Sequence, residues 1–209
     1  MLERTISKGT LKRMPQYYQY IGELMDEGVD RISSNELSAR LNISSSLVRQ
    51  DLSMFSGIGI QGYGYDIESL YGEMGDVLGV NQRHNIIVIG AGNLGQVLVS
   101  YSNFSKHGFV MKGMFDVNPR LVGLVLRGIE IQSLDHLETF IRENNIQIAA
   151  LTLPRKRAVE VAQRLYGAGI KAIWNFTNAA LEPPKDVIVE SINLSESLMQ
   201  LSFRLNASA

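Results

Sequence analysis

Gly90, Gly92 and Gly95 carry the first chemical signal in this chain. They stand in the run Gly90-Ala91-Gly92-Asn93-Leu94-Gly95, a complete G-x-G-x-x-G. In that pattern the first glycine permits a sharp strand-to-helix turn, the second lets a pyrophosphate approach bare backbone, and the third lets the helix pack on the strand. Unpaired N–H groups at the start of the helix would then hold the phosphates. Asp116 follows about 20 residues later, where an acid accepts hydrogen bonds from the adenosine ribose hydroxyls, and such an acid favours NAD over NADP. The same layer could instead hold another nucleotide such as coenzyme A, or nothing. Little else offers chemistry. His84, His107 and His136 do not fall at strand tips, there is no Ser/His/Asp order or metal-ligand spacing, and cysteine is absent. Neither catalysis nor a metal is expected.

For the glycines to act this way, residues 85–89 must be a strand buried on both faces, and Asn85-Ile86-Ile87-Val88-Ile89 has the β-branched apolar character for it. Residues 96–101 read as the helix, with Leu94, Val97, Leu98 and Tyr101 inward. Residues 109–115 read as the second strand, delivering Asp116 and Val117. Beyond Asn118-Pro119 the reading is a short strand at 129–131, a helix at 136–144, a strand at 147–153 broken by Pro154, a helix at 156–168 closed by Gly169, and a strand at 170–174. Strands alternating with helices imply a doubly wound parallel sheet. Its ligand would lie across the carboxyl ends of the strands, against the glycines, Asp116, Thr152 to Pro154 and Asn175 to Thr177, Phe176 among them. Residues 187–192 resemble a last strand. Residues 194–205 resemble a last helix with a stripe of Leu194, Leu198, Leu201 and Leu205, which either packs on its own domain or joins a partner.

The first eighty residues read differently. Residues 1–13 look like a loose basic arm or a first half-turn, followed by a helix with Pro15 near its start, Tyr17, Tyr18, Ile21, Leu24 and Met25 on one stripe, and Gly28 at its end. Ile32, Ser33, Glu36 and Leu37 form a hydrophobic staple and capping box for a second helix. Asn42 suits a left-handed turn, and Ser44 or Ser45 caps a third helix with Leu47, Val48, Leu52 and Phe55 inward. With Leu37, Ala39, Leu41 and Ile43 completing a shared core, this is a helix-turn-helix pattern. Its outer face carries Ser46, Arg49, Gln50 and Ser53, donors suited to guanine, adenine and phosphate. The glycine-rich run 57–65, containing Gln61 and Tyr63, reads as a hairpin wing, and Asp66 caps a fourth helix. Residues 1–80 hold seven bases against eleven acids. That balance counts against a DNA-binding domain, but four of those bases, Lys12 among them, lie within the first thirteen residues.

At 209 residues the chain is long enough for two small cores. The expected division is a winged-helix domain over 1–80, a Rossmann domain over 81–190 and a terminal helix over 191–209. The fold class is therefore α/β: a winged helix-turn-helix domain, then a Rossmann-like doubly wound parallel sheet. Absence of cysteine fits a reducing compartment, and neither a signal peptide nor an apolar run of membrane-spanning length is visible. A cytoplasmic protein is expected.

The order of motifs also resembles a family over nearly the whole chain. Ser45-Ser46-Leu47-Val48-Arg49-Gln50-Asp51-Leu52-Ser53, Gly62-Tyr63-Gly64-Tyr65-Asp66, the glycine fingerprint, Leu151-Thr152-Leu153-Pro154-Arg155, and Gly169-Ile170-Lys171 with Asn175-Phe176 together resemble the Rex family of redox-sensing transcriptional repressors. The resemblance implies a homodimer that binds a palindromic operator through two winged helices when NADH is scarce and leaves it when NADH binds. It also implies a last helix exchanged between subunits, with Leu198 and Tyr101 among the interface residues and Phe176 near the nicotinamide. A dry pocket there would penalise the extra charge of NAD⁺. The chain departs from the pattern in three respects. Gln50 and Ile60-Gln61 replace bases, and Gln19 with Asn193 stand where an arginine and an aspartate pair in some members, so a hydrogen bond replaces an ion pair. A coenzyme A- or NAD-binding metabolic subunit is the alternative reading.

Overall fold

The computed structural model describes residues 6–55, 59–60 and 63–207. The chain divides into two compact units, Met1–Gln82 and Arg83–Ala209.

In the first unit, helix α1 spans Lys8–Asp26, so it starts earlier than the loose arm expected from sequence. Ser7 supplies the reason, because its hydroxyl accepts the Thr10 N–H and caps the helix. Pro15 consequently lies inside the helix rather than near its start. The buried stripe is Met14, Tyr17, Tyr18, Ile21 and Leu24, while Met25 is turned outward at the helix end. Strand β1 (Arg31–Ile32) leads into helix α2 (Ser34–Leu41), whose Ser33 and Glu36 form the reciprocal capping box and whose last turn closes on Asn42 in the left-handed conformation. Helix α3 (Ser45–Leu52) is capped by Ser44. It stops before Phe55, which reaches the core from the following turn, and Ala39 is exposed on α2 rather than part of that core. Strands β2 (Gly59–Ile60) and β3 (Gly64–Asp66) pair antiparallel as a hairpin, and β1 joins as a third strand that sequence periodicity could not reveal in two residues. Helix α4 (Ile67–Leu78) is capped by Asp66, and its Tyr71 stacks on Tyr18 of α1 at 4.3 Å between ring centroids.

The second unit is a seven-stranded sheet. In chain order its elements are β4 (His84–Ile89), α5 (Asn93–Ser100), α6 (Asn103–Lys106), β5 (Phe109–Asp116), β6 (Val125–Leu126), β7 (Ile129–Ser133), α7 (Leu137–Glu143), β8 (Ile148–Leu151), α8 (Arg155–Gly167), β9 (Ala172–Asn175), β10 (Ile188–Ser191) and α9 (Leu194–Ala207). The spatial order is β10-β9-β8-β4-β5-β7-β6. All neighbours are parallel except the edge hairpin β6–β7, which turns at Arg127 and Gly128, both with positive φ. Counting only the parallel strands gives the 3-2-1-4-5-6 order of a dinucleotide-binding sheet, with its reversal between β4 and β8. One face packs Ile87, Ile89 and Phe115 against α7 and α8, and the other packs Val88 and Met114 against α5. Helix α5 begins at Asn93 and puts Gly95, Leu98 and Val99 on the sheet, so its inner face is rotated from the expected one. Val97 and Tyr101 are 61% and 52% exposed. Helix α9 buries no side chain, and Leu194, Leu198, Leu201, Phe203 and Leu205 are all open. No helix among the described residues is long and apolar enough to cross a membrane.

Candidate nucleotide cleft and nucleic-acid interface

At the sheet's reversal point lies a cleft of about 500 Å³ lined by Gly90, Gly92, Asp116, Val117, Thr152 and Pro154, all expected from sequence. Its floor is built from three strand ends. Gly90 has φ +106°, and a Cβ there would come within 2.8 Å of the Thr152 carbonyl oxygen, so the turn out of β4 tolerates only glycine. A Cβ on Gly95 would overlap the Gly90 carbonyl oxygen, because α5 lies directly on the loop. Gly92 is different. A Cβ there would meet nothing within 4 Å, and its φ of −72° is open to any residue. Steric demand inside the protein therefore does not explain Gly92. The space beside its backbone is open, and Gly92 is the N-cap of α5 with no side chain capping the helix, so Asn93 and Leu94 present their N–H groups in the first turn. These residues suit the phosphates of a dinucleotide.

The loop is tied down from several sides. Asp116 accepts the Ala91 N–H at 2.6 Å and the Asn118 N–H at 2.8 Å. Thr152 donates its hydroxyl to the Gly90 and Ile89 carbonyls at 2.8 and 3.1 Å, and Gln96 donates its side-chain amide to the Ala91 carbonyl at 2.9 Å. Asp116 thus orients the glycine loop as well as lining the cleft, and each of its oxygens keeps a lone pair free for a further donor.

Asn175 does not offer its side chain to the cleft. It is buried, donating to the Ala179 carbonyl and Ser191 hydroxyl and accepting from the Thr177 N–H and hydroxyl, so it shapes the turn after β9. Phe176 lies away from the cleft lining, in a row of aromatic contacts running Tyr101, Phe104, Trp174, Phe176 with centroid separations of 4.8, 5.7 and 4.6 Å. Leu153, within the expected run Thr152 to Pro154, lines the cleft too, and Leu121, Leu134, Arg157, Glu160 and Val161 also line it but were missed. The signal for three of them was present, since Arg157 and Val161 follow Pro154 at helical spacing and Arg157 pairs with Glu160 at 3.6 Å.

In the first unit α3 exposes Ser46, Arg49, Gln50 and Ser53, and Ser45 is half-buried. Arg49 donates to the Ser34 hydroxyl at 3.2 Å, and Ser53 donates to the Gln50 carbonyl at 2.7 Å. Lys12 and Gln19 are exposed on α1, and Tyr63 is 75% exposed beside the hairpin, whereas Gln61 lies outside the described residues. Asn193 is the start of α9, where its carbonyl side chain accepts the Ser195 N–H.

Behind this face sits a residue that the sequence reading left without a role. Asp51 is buried, yet its carboxylate accepts from Arg13 Nε and an Arg13 terminal nitrogen at 2.6 and 2.7 Å, from the Tyr17 hydroxyl at 2.9 Å and from the Thr10 hydroxyl at 2.9 Å. Burial pushes its pKa up, but the hydrogen bonds from Arg13, Tyr17 and Thr10 outweigh that, and the carboxyl is held below its ordinary value.

Comparison with known proteins places these geometries together. Residues 81–179 match the family described as a CoA binding domain, and residues 5–53 match one described as a putative DNA-binding protein N-terminus. The redox-sensing transcriptional repressor Rex of Clostridioides difficile (strain 630) is 48% identical over 200 residues, covering 96% of this chain and 95% of that protein. The Rex repressor of Thermoanaerobacter sp. (strain X514) is 47% identical over 99% of this chain and 92% of its own. Among solved structures, RSP in complex with β-NAD⁺ and operator DNA superposes with a TM-score of 0.92 at 46% identity, covering 99% of this chain and 95% of that one. RSP in complex with β-NADH gives 0.89 at 44% identity, covering 99% and 97%. The chain belongs to the Rex family of redox-sensing transcriptional repressors.

Proposed function

We propose that this chain acts as a homodimer that binds a palindromic operator through α3 and the hairpin, and leaves it when NADH enters the cleft at Gly90 to Gly95. The observation that carries the reading is the open backbone at Gly92, a glycine that the protein's own packing does not require, at an uncapped helix start. Gly90, Ala91, Gly92, Asn93, Leu94 and Gly95 would hold the pyrophosphate, Asp116 and Val117 the adenosine ribose, and Thr152 and Pro154 the opposite wall. The nicotinamide, whose two redox forms differ by one positive charge, would meet Phe176, and apolar surroundings disfavour the charged form. Asn175 would act indirectly, by fixing the turn that carries Phe176.

On the DNA side, Gln50 would reach a base edge and Arg49 a guanine or a phosphate, while Lys12, Ser45, Ser46, Ser53, Gln61 and Tyr63 would contact the backbone. The bare apolar helix α9, with Leu198, and the exposed Tyr101 support a dimer, since six large apolar side chains on one helix, Met199 among them, need a cover. Gln19 and Asn193 would belong to the switch as neutral partners. The domains are taken as 1–80, 81–190 and 191–209, and the site of action as the cytoplasm. A gel shift with promoter DNA, repeated with NADH, NAD⁺ and coenzyme A, tests this. Release by NADH is expected, and a protein that shifts no promoter DNA under any of these conditions would favour the metabolic reading.

A further inference from the structure

Helix α3 is eight residues long, and its grip on the unit through Val48 and Leu52 is apolar. Apolar contacts resist separation far better than they resist rotation or sliding, because they have no direction. Apart from the exposed bond from Arg49 to the Ser34 hydroxyl, the directional side-chain contacts that tie α3 to another helix converge, among the described residues, on one atom group, the Asp51 carboxylate, two residues beyond Arg49 and one beyond Gln50. Four hydrogen bonds reach it, all from the first three turns of α1: Thr10, Arg13 twice, and Tyr17. The side chain of Asp51 is 2% exposed and that of Arg13 27%, so the pair is largely withdrawn from water. A buried pair of this kind gives little net stability over an apolar replacement, since desolvation offsets most of the attraction, but it fixes one geometry.

That geometry bears on the surface. Ser7 and Thr10 at the start of α1 and Gln50 and Ser53 at the end of α3 line one groove together with Asp51, Ile6 and Met54. With a helix radius of about 5 to 6 Å including side chains, a 20° rotation of α3 would move the tips of its outer residues by about 2 Å. Hydrogen bonds to base edges do not survive a shift of that size.

We infer that Asp51 is a positioning residue for DNA recognition: it locks the rotation of α3 to the start of α1, so that Arg49, Gln50 and the basic residues of α1 meet the duplex as one rigid surface. The inference rests on the DNA-binding reading above. Misplacing a base-reading side chain in a half-site should cost about as much discrimination as a mismatched base pair, roughly fivefold to 150-fold.

The probes are a duplex selected by the wild-type full-length protein from a random-sequence pool and a scrambled duplex of the same composition, with thermal melting measured alongside. Asp51→Asn, which leaves an amide against the guanidinium, should lower affinity for the selected duplex by about fivefold or more while changing affinity for the scrambled one little. The apolar triple variant Arg13→Met, Tyr17→Phe, Asp51→Leu should melt near the wild-type temperature and still discriminate poorly. If the triple variant fails to fold, Tyr17→Phe alone, which deletes one bond to the carboxylate, should reduce discrimination measurably. A well-folded triple variant, or Tyr17→Phe in its place, with wild-type discrimination overturns the inference, as does an Asp51→Asn protein that loses both affinities equally. A wild-type protein that selects no duplex at all overturns the inference and the DNA-binding reading together.

Discussion

The three fingerprint glycines should fail in three different ways when each is replaced by alanine. At Gly92 the added methyl points into open space and the backbone is already in a conformation alanine favours, so stability should stay within about 1 kcal/mol of wild type, the lost glycine N-cap and the stiffer unfolded chain offsetting each other. Yet that methyl occupies the space a pyrophosphate would need. Pushing the phosphates off one backbone N–H removes a charge-assisted bond worth about 1.5 to 3 kcal/mol, which is about tenfold to 150-fold in NADH affinity. At Gly90 the cost is structural, because alanine would be strained at φ +106° and crowd the Thr152 carbonyl, about 1 to 3 kcal/mol from the backbone alone. At Gly95 the methyl would overlap the Gly90 carbonyl and force α5 off the loop. Thermal melting, NADH titration and a gel shift on each variant separate these outcomes. Gly92→Ala should give a stable repressor that stays on DNA at NADH concentrations that release the wild type. If Gly92→Ala releases at the wild-type NADH concentration, the phosphates lie elsewhere and the reading of Gly92 is wrong.

Four further outcomes follow. Gln50→Ala should relax base preference at one position in each half-site with little change in salt dependence, whereas Arg49→Ala, if Arg49 meets a phosphate, should weaken all sequences and flatten the slope of log affinity against log salt by about one per subunit. A titration series on operator variants checks both. NADPH should bind far more weakly than NADH, because Asp116 would repel a 2′-phosphate, and quenching of Trp174 fluorescence by each nucleotide measures it. Leu198→Glu should put a charge in the middle of the apolar face of α9 and shift the protein to monomers in sedimentation, with loss of operator binding. In acid, the Asp51 network should weaken. Its folded pKa lies below its unfolded one, so its contribution is complete above the unfolded value of about 3.9 and fades as pH falls below that toward the folded value. A melting series from pH 5 downward should show a loss that Asp51→Asn lacks.

What could be read in advance was what local chemistry dictates. Ser33, Glu36 and Asn42 specified both ends of α2, and the glycine run with its apolar strand specified the nucleotide layer, because capping and tight turns depend on residues within a few positions of each other. The misreadings arose where a distant partner decides. The start of α1 follows from Ser7 and from Asp51 holding Thr10 and Arg13, and Asp51 is some forty residues away. The inner face of α5 follows from Gly95, which has no side chain to register as apolar, so periodicity chose Val97 and Tyr101 instead. Strand β1 exists only because β3 lies beside it. Asn175 looked like a polar ligand contact until four bonds were seen to occupy it.

The bonds that hold the glycine loop are ones the protein makes with itself, through Asp116, Thr152 and Gln96. Binding therefore has little loop left to order, and the conformational entropy that usually slows or weakens capture by a flexible segment is largely absent. In a molecule that reports a ratio of two nucleotides, this bears on timing. If capture waits on no ordering of this loop, the delay between a change in the ratio and a change in occupancy is set by how long the departing nucleotide stays. The lifetime of the complex, more than its affinity alone, then fixes how fast a metabolic fluctuation the repressor can follow.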